Sequence, residues 1–436
     1  MRVAHAIVVQ QAASLRGTLR VPGDKSISHR YALLSAIADG ASTVANYSSG
    51  ADCASTLACL AALGVPVTRQ PAPVPGDGDL VHIGGRGPRG LRQAPGPVDC
   101  GNSGTTMRLL AGLLAAHPFR TVLVGDASLS RRPMGRVIAP LVAMGAAATA
   151  AAGDRPPVTI DGGPLHGIDY TPPVPSAQLK SAVLLAGLHA SGDTRVIEPA
   201  ATRDHTERAL RAFGARLAVD GLAITLPGGQ RLAGGHRTVP GDLSSAAFFA
   251  AAAAALPGSD VEITGVGLNP TRAGILALLR RFGAEVTSTV ADEADGEPVG
   301  ALRVRGHGLG SLTITPAEVP DVIDELPVLA AMATAGGEIH VTGAGELRVK
   351  ESDRITALVE GLRALGADAE ELPDGFHVRG ARPLRGGTAD ARGDHRLAMA
   401  FTVAALAAAG PSTITGADVV DVSDPSFFDD LGRLRA

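Results

Sequence analysis

Six short segments place polar or charged residues directly before a stretch rich in Ala and Leu, a pattern that is typical of a polar turn leading into a buried helix. They cover residues 21–37, 100–114, 174–188, 240–254, 320–333 and 392–406. A helix N-terminus exposes unpaired N–H groups and the positive end of the helix dipole, so it attracts anions. One such opening is usually an ordinary N-cap. Openings at equivalent positions along the chain indicate instead a shared anion-binding cleft.

Basic residues recur in or beside these openings and in the loops that follow them. They are Lys25, Arg30, Arg108, Arg131, Arg132, Arg203, Lys350, Arg354 and Arg396. Arginine binds carboxylate or phosphate through two hydrogen bonds, whereas lysine acts as a point charge. Most arginines in any chain are solvated surface residues, but cations at equivalent loops favour a substrate with more than one anionic group.

Two carboxylates in the same loops are candidates for proton transfer. Asp321 follows Pro320, and Glu351 lies next to Lys350. A carboxylate beside a cation can have a pKa suited to general acid–base catalysis. The alternatives are structural, with Asp321 as an N-cap and Glu351 as an acid favoured by the helix dipole.

Composition restricts the class of protein. The chain has 436 residues, 45% hydrophobic residues, no Trp and a formal net charge of −4. This length predicts two domains, and the net charge argues against a general nucleic-acid surface. Three cysteines without a CxxC pair indicate a reducing cytoplasm and no metal site. The N-terminus lacks the apolar core of a signal peptide, and the longest apolar run, 246–256, is too short to span a bilayer.

Two segments resemble nucleotide-binding motifs but lack the neighbouring sequence that such motifs require. The GxGxxG match at 85–90 is followed by LRQAPGP, which cannot begin a helix, and GDKS lacks the GK pair of a phosphate-binding loop. We therefore expect neither a dinucleotide site nor an ATP site.

The six openings repeat every ~70–80 residues, each followed by a β-branched segment and a second, amphipathic helix. Three units then form each of two domains. Residues 1–20 are predicted to form a pair of strands, and the Gly-rich segment 226–240 a crossover. The predicted domains are 21–240 and a discontinuous one of 1–20 plus 241–436.

Seven sequence motifs resemble those of a known family. The chain resembles the 5-enolpyruvylshikimate-3-phosphate synthase (3-phosphoshikimate 1-carboxyvinyltransferase) family in PGDKSISHR (22–30), GNSGTTMRL (101–109), SRRPM (130–134), PSAQLKSA (175–182), TRDHTER (202–208), LRVKESDR (347–354) and GDHRLAM (393–399). The resemblance implies an α/β fold of two similar domains. Each has three βαβαββ units in an inverse α/β barrel, with helices inside, sheets outside and the active site in the interdomain cleft.

The resemblance also implies a reaction. The enolpyruvyl group of phosphoenolpyruvate is transferred to the 5-hydroxyl of shikimate 3-phosphate, releasing phosphate, by addition and elimination through a tetrahedral intermediate. This step belongs to the shikimate pathway to chorismate and the aromatic amino acids. It requires no metal or organic cofactor. The implied protein is a cytoplasmic monomer, a glyphosate target, with small-molecule substrates and neither nucleic-acid nor membrane partners.

By resemblance, site residues can be assigned to the two substrates and to catalysis. Shikimate 3-phosphate is held by Lys25, Ser26, Arg30, Ser176, Ala177, Gln178, Arg203, Asp321 and Lys350. Phosphoenolpyruvate is held by Lys25, Gly104, Arg132, Gln178, Arg354 and Arg396. Asp321 takes the 5-hydroxyl proton, and Glu351, assisted by Lys25, protonates and later deprotonates C3.

The chain departs from enterobacterial members at three places. Leu109 stands at a Pro position, Glu346 at an Asn position, and 423–425 lie where those members carry a Lys. Three other functions are alternatives to this reaction. A UDP-N-acetylglucosamine enolpyruvyl transferase carries a Cys in the loop equivalent to 127–133, which this chain lacks. A non-catalytic binding module would tolerate loss of Asp321 or Glu351. An RNA-end-processing relative would need ATP and a catalytic His.

Overall fold

The structure is a computed structural model that describes residues 6–72 and 77–435. Its helices are α1 (Lys25–Ile37), α2 (Ala51–Ala62), α3 (Gly104–Leu114), α4 (Gly135–Ala143), α5 (Ala177–Gly187), α6 (His205–Ala212), α7 (Leu243–Ala255), α8 (Gly274–Arg281), α9 (Val319–Val322), α10 (Leu326–Ala333), α11 (Arg354–Ala364), α12 (His395–Leu406) and α13 (Phe427–Leu434). Short 3₁₀ turns occupy Leu129–Arg131, Gly345–Val349 and Ala417–Val422.

The strands are short and fall between the helices. They are β1 (Ile7–Val9), β2 (Arg16–Arg20), β3 (Ala41–Tyr47), β4 (Val67–Gln70), β5 (Asp79–Gly84), β6 (Val98–Asp99), β7 (Arg120–Val124), β8 (Ala147–Ala151), β9 (Arg155–Asp161), β10 (Asp169–Tyr170), β11 (Asp193–Ile197), β12 (Ala218–Asp220), β13 (Ala223–Pro227), β14 (His236–Thr238), β15 (Asp260–Gly267), β16 (Glu285–Ala294), β17 (Glu297–Arg305), β18 (Ser311–Ile314), β19 (Glu338–Val341), β20 (Asp368–Leu372), β21 (Gly375–Arg379), β22 (Thr388–Asp390) and β23 (Ser412–Thr415).

One pairing pattern recurs in every sheet that the described residues form. In the order β6-β7-β9-β8, the first two strands are parallel and the next two pairs are antiparallel. The sheets β14-β3-β5-β4, β10-β11-β13-β12, β2-β15-β17-β16 and β18-β19-β21-β20 repeat it. The sheet β22-β23-β1 follows the same pattern with three strands. The repeat seen in the sequence is therefore a repeat of structure.

The first two strands do not pair with each other, which corrects the predicted strand pair in 1–20. β1 pairs antiparallel with β23, and β2 pairs parallel with β15. Residues 4–5 of the predicted first strand lie outside the described residues. The strands separate because each completes a sheet of a later unit, where it finds the hydrogen-bond partners that a strand needs.

Two hydrophobic cores divide the chain. One draws its buried residues from 27–239, and the other from 9–21 and 243–434. The first helix of each unit lies inside, and every residue of α7, which is largely Ala, is buried. Small side chains let α7, α10 and α12 pack against one another. The predicted α/β class is confirmed, whereas the domain boundaries at 20/21 and 240/241 stay a prediction.

The chain crosses between the two cores at two adjacent segments. Asp24 N donates to Pro240 O at 2.8 Å, and Asp242 N donates to Pro22 O at 2.9 Å. Each crossing leads directly into the first helix of a unit. The starts of α1 and α7 are therefore held side by side where the two cores meet.

Candidate active site

The polar residues at the helix openings are N-caps. Each side-chain oxygen accepts a backbone N–H in the first turn, which satisfies donors that a helix otherwise leaves unpaired. The caps are Asp24 on α1, Ser103 on α3, Ser176 on α5, Asp242 on α7, Asp353 on α11 and Asp394 on α12. These residues therefore do have the ordinary role of N-caps. By holding the helix starts in place, they also fix the directions in which the neighbouring cationic side chains project.

Arg30 is buried and has neutral partners. Its Nε donates to Thr206 Oγ1 at 2.6 Å, Nη1 to Ser26 O at 2.8 Å and Nη2 to Ser181 Oγ at 2.7 Å. Within 6–72 and 77–435, no carboxylate forms an ion pair with it. Burial lowers the pKa of the Arg30 guanidinium to about 10. An anion entering here would gain a charged, pre-formed donor group.

Arg108 repeats this arrangement in the second unit. Its Nη1 donates to Gln178 Oε1 at 2.7 Å, and Gln178 Nε2 donates to Thr105 Oγ1 at 2.8 Å. Burial, followed by the charge of Arg132, lowers the Arg108 pKa to about 10. A Cβ at Gly104 would meet Arg108 Nη1 at 2.8 Å and Arg132 Nη1 at 3.3 Å. Glycine at this position therefore leaves room for two guanidinium groups.

Lys25 connects the two halves at the start of α1. Its backbone N donates to Asp242 Oδ2 at 3.1 Å, and its Nζ lies 3.1 Å from Asp52 Oδ2. Burial opposes the charged form, but the Asp52 carboxylate outweighs it, so the Lys25 pKa is raised. Lys25 is therefore a fixed cation.

Asp324 is the centre of an ion network on the other side of the cleft. One carboxylate oxygen lies 2.8 Å from Arg203 Nη2, and the other lies 3.7 Å from Lys350 Nζ, 3.6 Å from Arg354 Nη1 and 4.0 Å from Arg396 Nε. Burial raises the Asp324 pKa, but the surrounding cations, Arg396 foremost, outweigh it and hold the pKa well below its usual range. Four cations that the sequence analysis singled out thus converge on one carboxylate.

Glu351 bridges the cleft. Its Oε1 lies 3.4 Å from Arg132 Nη1, its Oε2 pairs with Arg354, and its carbonyl accepts from Ser128 Oγ at 3.3 Å. Burial works against ionisation, but Arg354 and then Arg132 hold the Glu351 pKa well below its usual value. Arg354 is fixed in turn by Asp394, at 2.7 Å from its Nε.

Asp321 is not brought into this network. Its side chain is exposed and, among the described residues, forms neither a hydrogen bond nor an ion pair. Burial raises its pKa against the opposing charge of Arg203. The carboxylate that reaches the cations is Asp324, three residues later, in the turn between α9 and α10. Its position directly before an inner helix was the signal that the sequence analysis missed.

The other assigned residues surround these groups. Ser26 offers its carbonyl to Arg30, Ser176 caps α5, and Ala177 is the first residue of that helix. Asn102, part of the polar opening of α3 but not assigned to a substrate by the resemblance, accepts from Arg132 Nη2 at 2.9 Å.

The structure shows the surroundings of the three places where the sequence departs from enterobacterial members. Leu109 is buried in the first core, and Glu346 lies 3.1 Å from Arg136, which adds a further ion pair between the two halves of the chain. Asp424, in the segment without the lysine, is fully buried.

Neither a metal cluster nor a membrane span is seen in the described part of the chain. No three His, Cys, Asp or Glu residues there are grouped as ligands. No helix there is both long and apolar enough to cross a bilayer. The cysteines Cys53, Cys59 and Cys100 are free thiols and buried. Cofactor-free catalysis stays a prediction.

Comparison with known proteins agrees with the geometry. The family model described as EPSP synthase (3-phosphoshikimate 1-carboxyvinyltransferase) matches residues 9–431. A 3-phosphoshikimate 1-carboxyvinyltransferase of Solibacter usitatus is 49% identical over 98% of this chain and 99% of its own. One of Acidithiobacillus ferrooxidans is 52% identical over 96% and 95%. An EPSP synthase structure from Acinetobacter baumannii superimposes with a TM-score of 0.85 at 42% identity, covering 99% of this chain and 98% of that one. The chain belongs to the EPSP synthase family.

Proposed function

We propose that this enzyme transfers the enolpyruvyl group of phosphoenolpyruvate to the 5-hydroxyl of shikimate 3-phosphate and releases phosphate. The observation that supports the proposal is that the charged groups on the two sides of the cleft have different partners. On one side Arg30, which is buried, and Arg108, which is half-buried, have neutral partners, and on the other Asp324 and Glu351 lie among cations. The first side suits anionic substrates, and the second suits proton transfer between them.

Shikimate 3-phosphate would lie against the openings of α1, α5 and α6. The phosphate is the group that Arg30 and the cap of α5 attract, because a helix N-terminus and a buried guanidinium both favour an anion. The residues proposed to hold this substrate are Lys25, Ser26, Arg30, Ser176, Ala177, Gln178, Arg203 and Lys350.

Phosphoenolpyruvate would lie between the openings of α3, α11 and α12. Its carboxylate and phosphate need several cations, which both halves supply. The residues proposed to hold it are Lys25, Gly104, Arg132, Gln178, Arg354 and Arg396. Because Arg132 and Arg354 now pair with Glu351, the incoming anion would compete for both guanidinium groups and raise the Glu351 pKa. Substrate binding would thus prepare Glu351 to carry a proton.

The addition step forms one C–O bond and moves two protons. The 5-hydroxyl oxygen attacks C2 of phosphoenolpyruvate, its proton goes to an aspartate, and C3 takes a proton from Glu351 with Lys25 assisting. In elimination, C3 returns its proton to Glu351 while the C2–O bond to phosphate breaks and phosphate leaves with the electron pair. Lys25 and the arginines balance the charge that develops on the oxygens.

For the aspartate we propose Asp324 in place of Asp321. A general base must reach the proton that it removes, and Asp324 contacts Arg203 and Lys350, two cations assigned to the same substrate. Asp321 is exposed and contacts neither.

A paired substitution separates the two aspartates. Asp324→Asn should lower turnover at least about a hundredfold, as expected when a proton-transfer group is lost, while Asp321→Asn stays within about threefold of the parent. Initial rates of phosphate release, measured with both substrates present and with each omitted, provide the readout. Phosphate release without shikimate 3-phosphate would contradict the proposed reaction, and the reverse order of the two variants would return the role to Asp321.

Glu351→Gln tests the C3 proton. Glutamine preserves the shape of the side chain but cannot transfer a proton, so calorimetry should show shikimate 3-phosphate binding near the parent value while turnover is lost. An equal loss of binding and turnover would make Glu351 a structural residue.

Three further properties are proposed with the reaction. The enzyme acts as a monomer, a proposal that is supported by the assembly of the assigned cations around Asp324 within a single chain. It works in the cytoplasm, which suits three free, buried thiols. Glyphosate competes with phosphoenolpyruvate beside Gly104, where the glycine leaves space next to Arg108 and Arg132.

A further inference from the structure

A buried ion pair lies behind the cleft, outside the assigned substrate contacts. Arg272, in the loop between β15 and α8, places Nη1 at 3.0 Å from Glu325 Oε1 and 3.2 Å from Oε2. Both side chains are almost completely buried. The Arg272 loop is itself fixed, since Arg272 N donates to Asn269 O at 2.9 Å and Thr271 N donates to Asn269 Oδ1 at 2.9 Å.

Ser244 connects this pair to Arg396. The Ser244 hydroxyl donates to Glu325 Oε1 at 2.5 Å and accepts from Arg396 Nη1 at 2.6 Å. One hydroxyl can donate once and accept from others, so both bonds are compatible. Three inner helices of the second core thereby meet at one point, because Ser244 lies in the first turn of α7, Glu325 precedes α10 and Arg396 lies in the first turn of α12.

Arg396 is poised between two acceptors. Its Nη1 lies 3.9 Å from Glu325 Oε1, which is close enough for charge attraction but too long for a direct hydrogen bond, and the same nitrogen donates to the backbone carbonyl of Asp324 at 3.0 Å. A buried carboxylate at this distance attracts a guanidinium strongly, since few waters screen the charges. Two features oppose direct pairing. Arg272 neutralises Glu325, and the Ser244 hydroxyl occupies the space between the Glu325 and Arg396 groups.

We propose that Arg272 and Ser244 are positioning residues that keep Arg396 off Glu325, so that the Arg396 guanidinium stays available to the anion of phosphoenolpyruvate. This inference rests on the proposed function, which assigns Arg396 to that substrate. Without the Ser244 hydroxyl, Arg396 closes on Glu325 and withdraws from the cleft. Without Arg272, the uncompensated Glu325 carboxylate draws Arg396 in the same direction.

Ser244→Ala is the direct test because it removes the hydroxyl and leaves no buried charge unpaired. The KM for phosphoenolpyruvate should rise at least about tenfold, the effect of losing one charge-assisted hydrogen bond. The KM for shikimate 3-phosphate should stay within about twofold. Ser245→Ala, one residue along α7 and equally buried, is the matched control and should leave both KM values near the parent.

A second pair of variants tests the competing carboxylate. Arg272→Met should raise the KM for phosphoenolpyruvate and lower the melting temperature, because it leaves Glu325 buried and unpaired. Adding Glu325→Gln removes that charge and keeps an oxygen for the Ser244 hydroxyl. The double variant should return the KM to within about threefold of the parent, as the competitor for Arg396 is gone.

Inorganic phosphate provides a readout that does not depend on turnover. It should raise the melting temperature of the parent and of Ser245→Ala, and raise that of Ser244→Ala less, since ligand binding stabilises the folded state in proportion to affinity. If the parent released no phosphate with both substrates present, the proposed function would be contradicted. The comparison of the phosphate-induced shifts in melting temperature would still test the positioning role. Equal phosphate shifts in the two serine variants, or a double variant whose KM remains raised, would overturn the positioning role.

Discussion

Two buried arginines, one on each side of the cleft, show how differently the two halves are built. Arg30 is 4% exposed and is held by two hydroxyls and a carbonyl, and burial lowers its pKa to about 10. Arg354 is 1% exposed and is held by Asp394 and Glu351. Burial opposes its charge too, but the two carboxylates outweigh burial and raise its pKa.

This difference indicates that the side around Arg30 mainly binds substrate, whereas the side around Arg354 mainly positions catalytic groups. A buried cation with neutral partners is costly until an anion arrives, so the side around Arg30 and Arg108 gains most from a ligand. The side around Arg354 is already neutralised, and its geometry is set before substrate enters. We infer that the side around Arg30 and Arg108 contributes the larger share of substrate affinity and that the other side holds the proton-transfer groups.

The largest expected effect is on the paired side. Arg354→Met should lower the free energy of unfolding by ~3–5 kcal/mol, because the buried Asp394 carboxylate loses its ion-pair partner and Glu351 keeps only Arg132. Urea unfolding followed by circular dichroism measures this. A loss below about 1 kcal/mol would mean that the network contributes little to the fold and would remove the contrast with Arg30.

The same substitution on the other side should act on binding instead. Arg30→Met should change the free energy of unfolding by less than about 1 kcal/mol, since no carboxylate loses an ion pair, while the affinity for shikimate 3-phosphate falls at least about a hundredfold. Urea unfolding and calorimetry on one preparation give both quantities. If Arg30→Met destabilised the protein as much as Arg354→Met, the proposed division between the two sides would be wrong.

A smaller change sharpens the picture of the ligand-binding side. Gly104→Ala places a methyl against the Arg108 and Arg132 guanidinium ends, which are flexible enough to move, so the fold should persist. The KM for phosphoenolpyruvate should rise about tenfold or less, the effect of one misplaced charged contact.

The same variant tests the glyphosate proposal. Glyphosate should inhibit the parent competitively with phosphoenolpyruvate and inhibit Gly104→Ala much less. A parent that is insensitive far above its substrate KM would contradict the proposal and direct attention to Leu109 in the same helix.

The smallest expected effect concerns Asp424, a buried acid that, like Arg30, forms no ion pair among the described residues. Asp424 is fully buried and forms no ion pair with the rest of the described chain, and burial raises its pKa to about 7. A carboxyl whose folded pKa is raised binds its proton more tightly in the folded state, so its contribution is full below pH ~4 and is lost as pH rises towards 7.

Asp424→Asn should therefore stabilise the protein relative to the parent by about 1–2 kcal/mol more at pH 8 than at pH 5. Thermal unfolding of both proteins across this range measures it. Asp418→Asn, an exposed acid on the neighbouring turn, is the control. A difference that is constant with pH would show that Asp424 does not titrate in this window.

Much of the site could be predicted because its cations lie at or just before helix N-termini. Lys25, Arg203, Lys350, Arg354 and Arg396 were all located from this pattern, and the structure brings the last four to Asp324. Asp321 and Asp324 were harder to separate, since both lie in one short acidic turn. Only the side-chain direction distinguishes them, and that depends on how α9 and α10 pack.

The sequence by itself determined the six units, the α/β class and the loops that carry charge, because the hydrophobic periodicity and the capping residues act over a few neighbouring positions. The tertiary structure alone decided which partner each charged group obtains. Arg30 meets Thr206 across 176 residues, and Arg396 meets Ser244 across 152. Such contacts depend on packing between units that are distant in the chain, and local sequence preferences carry no information about them.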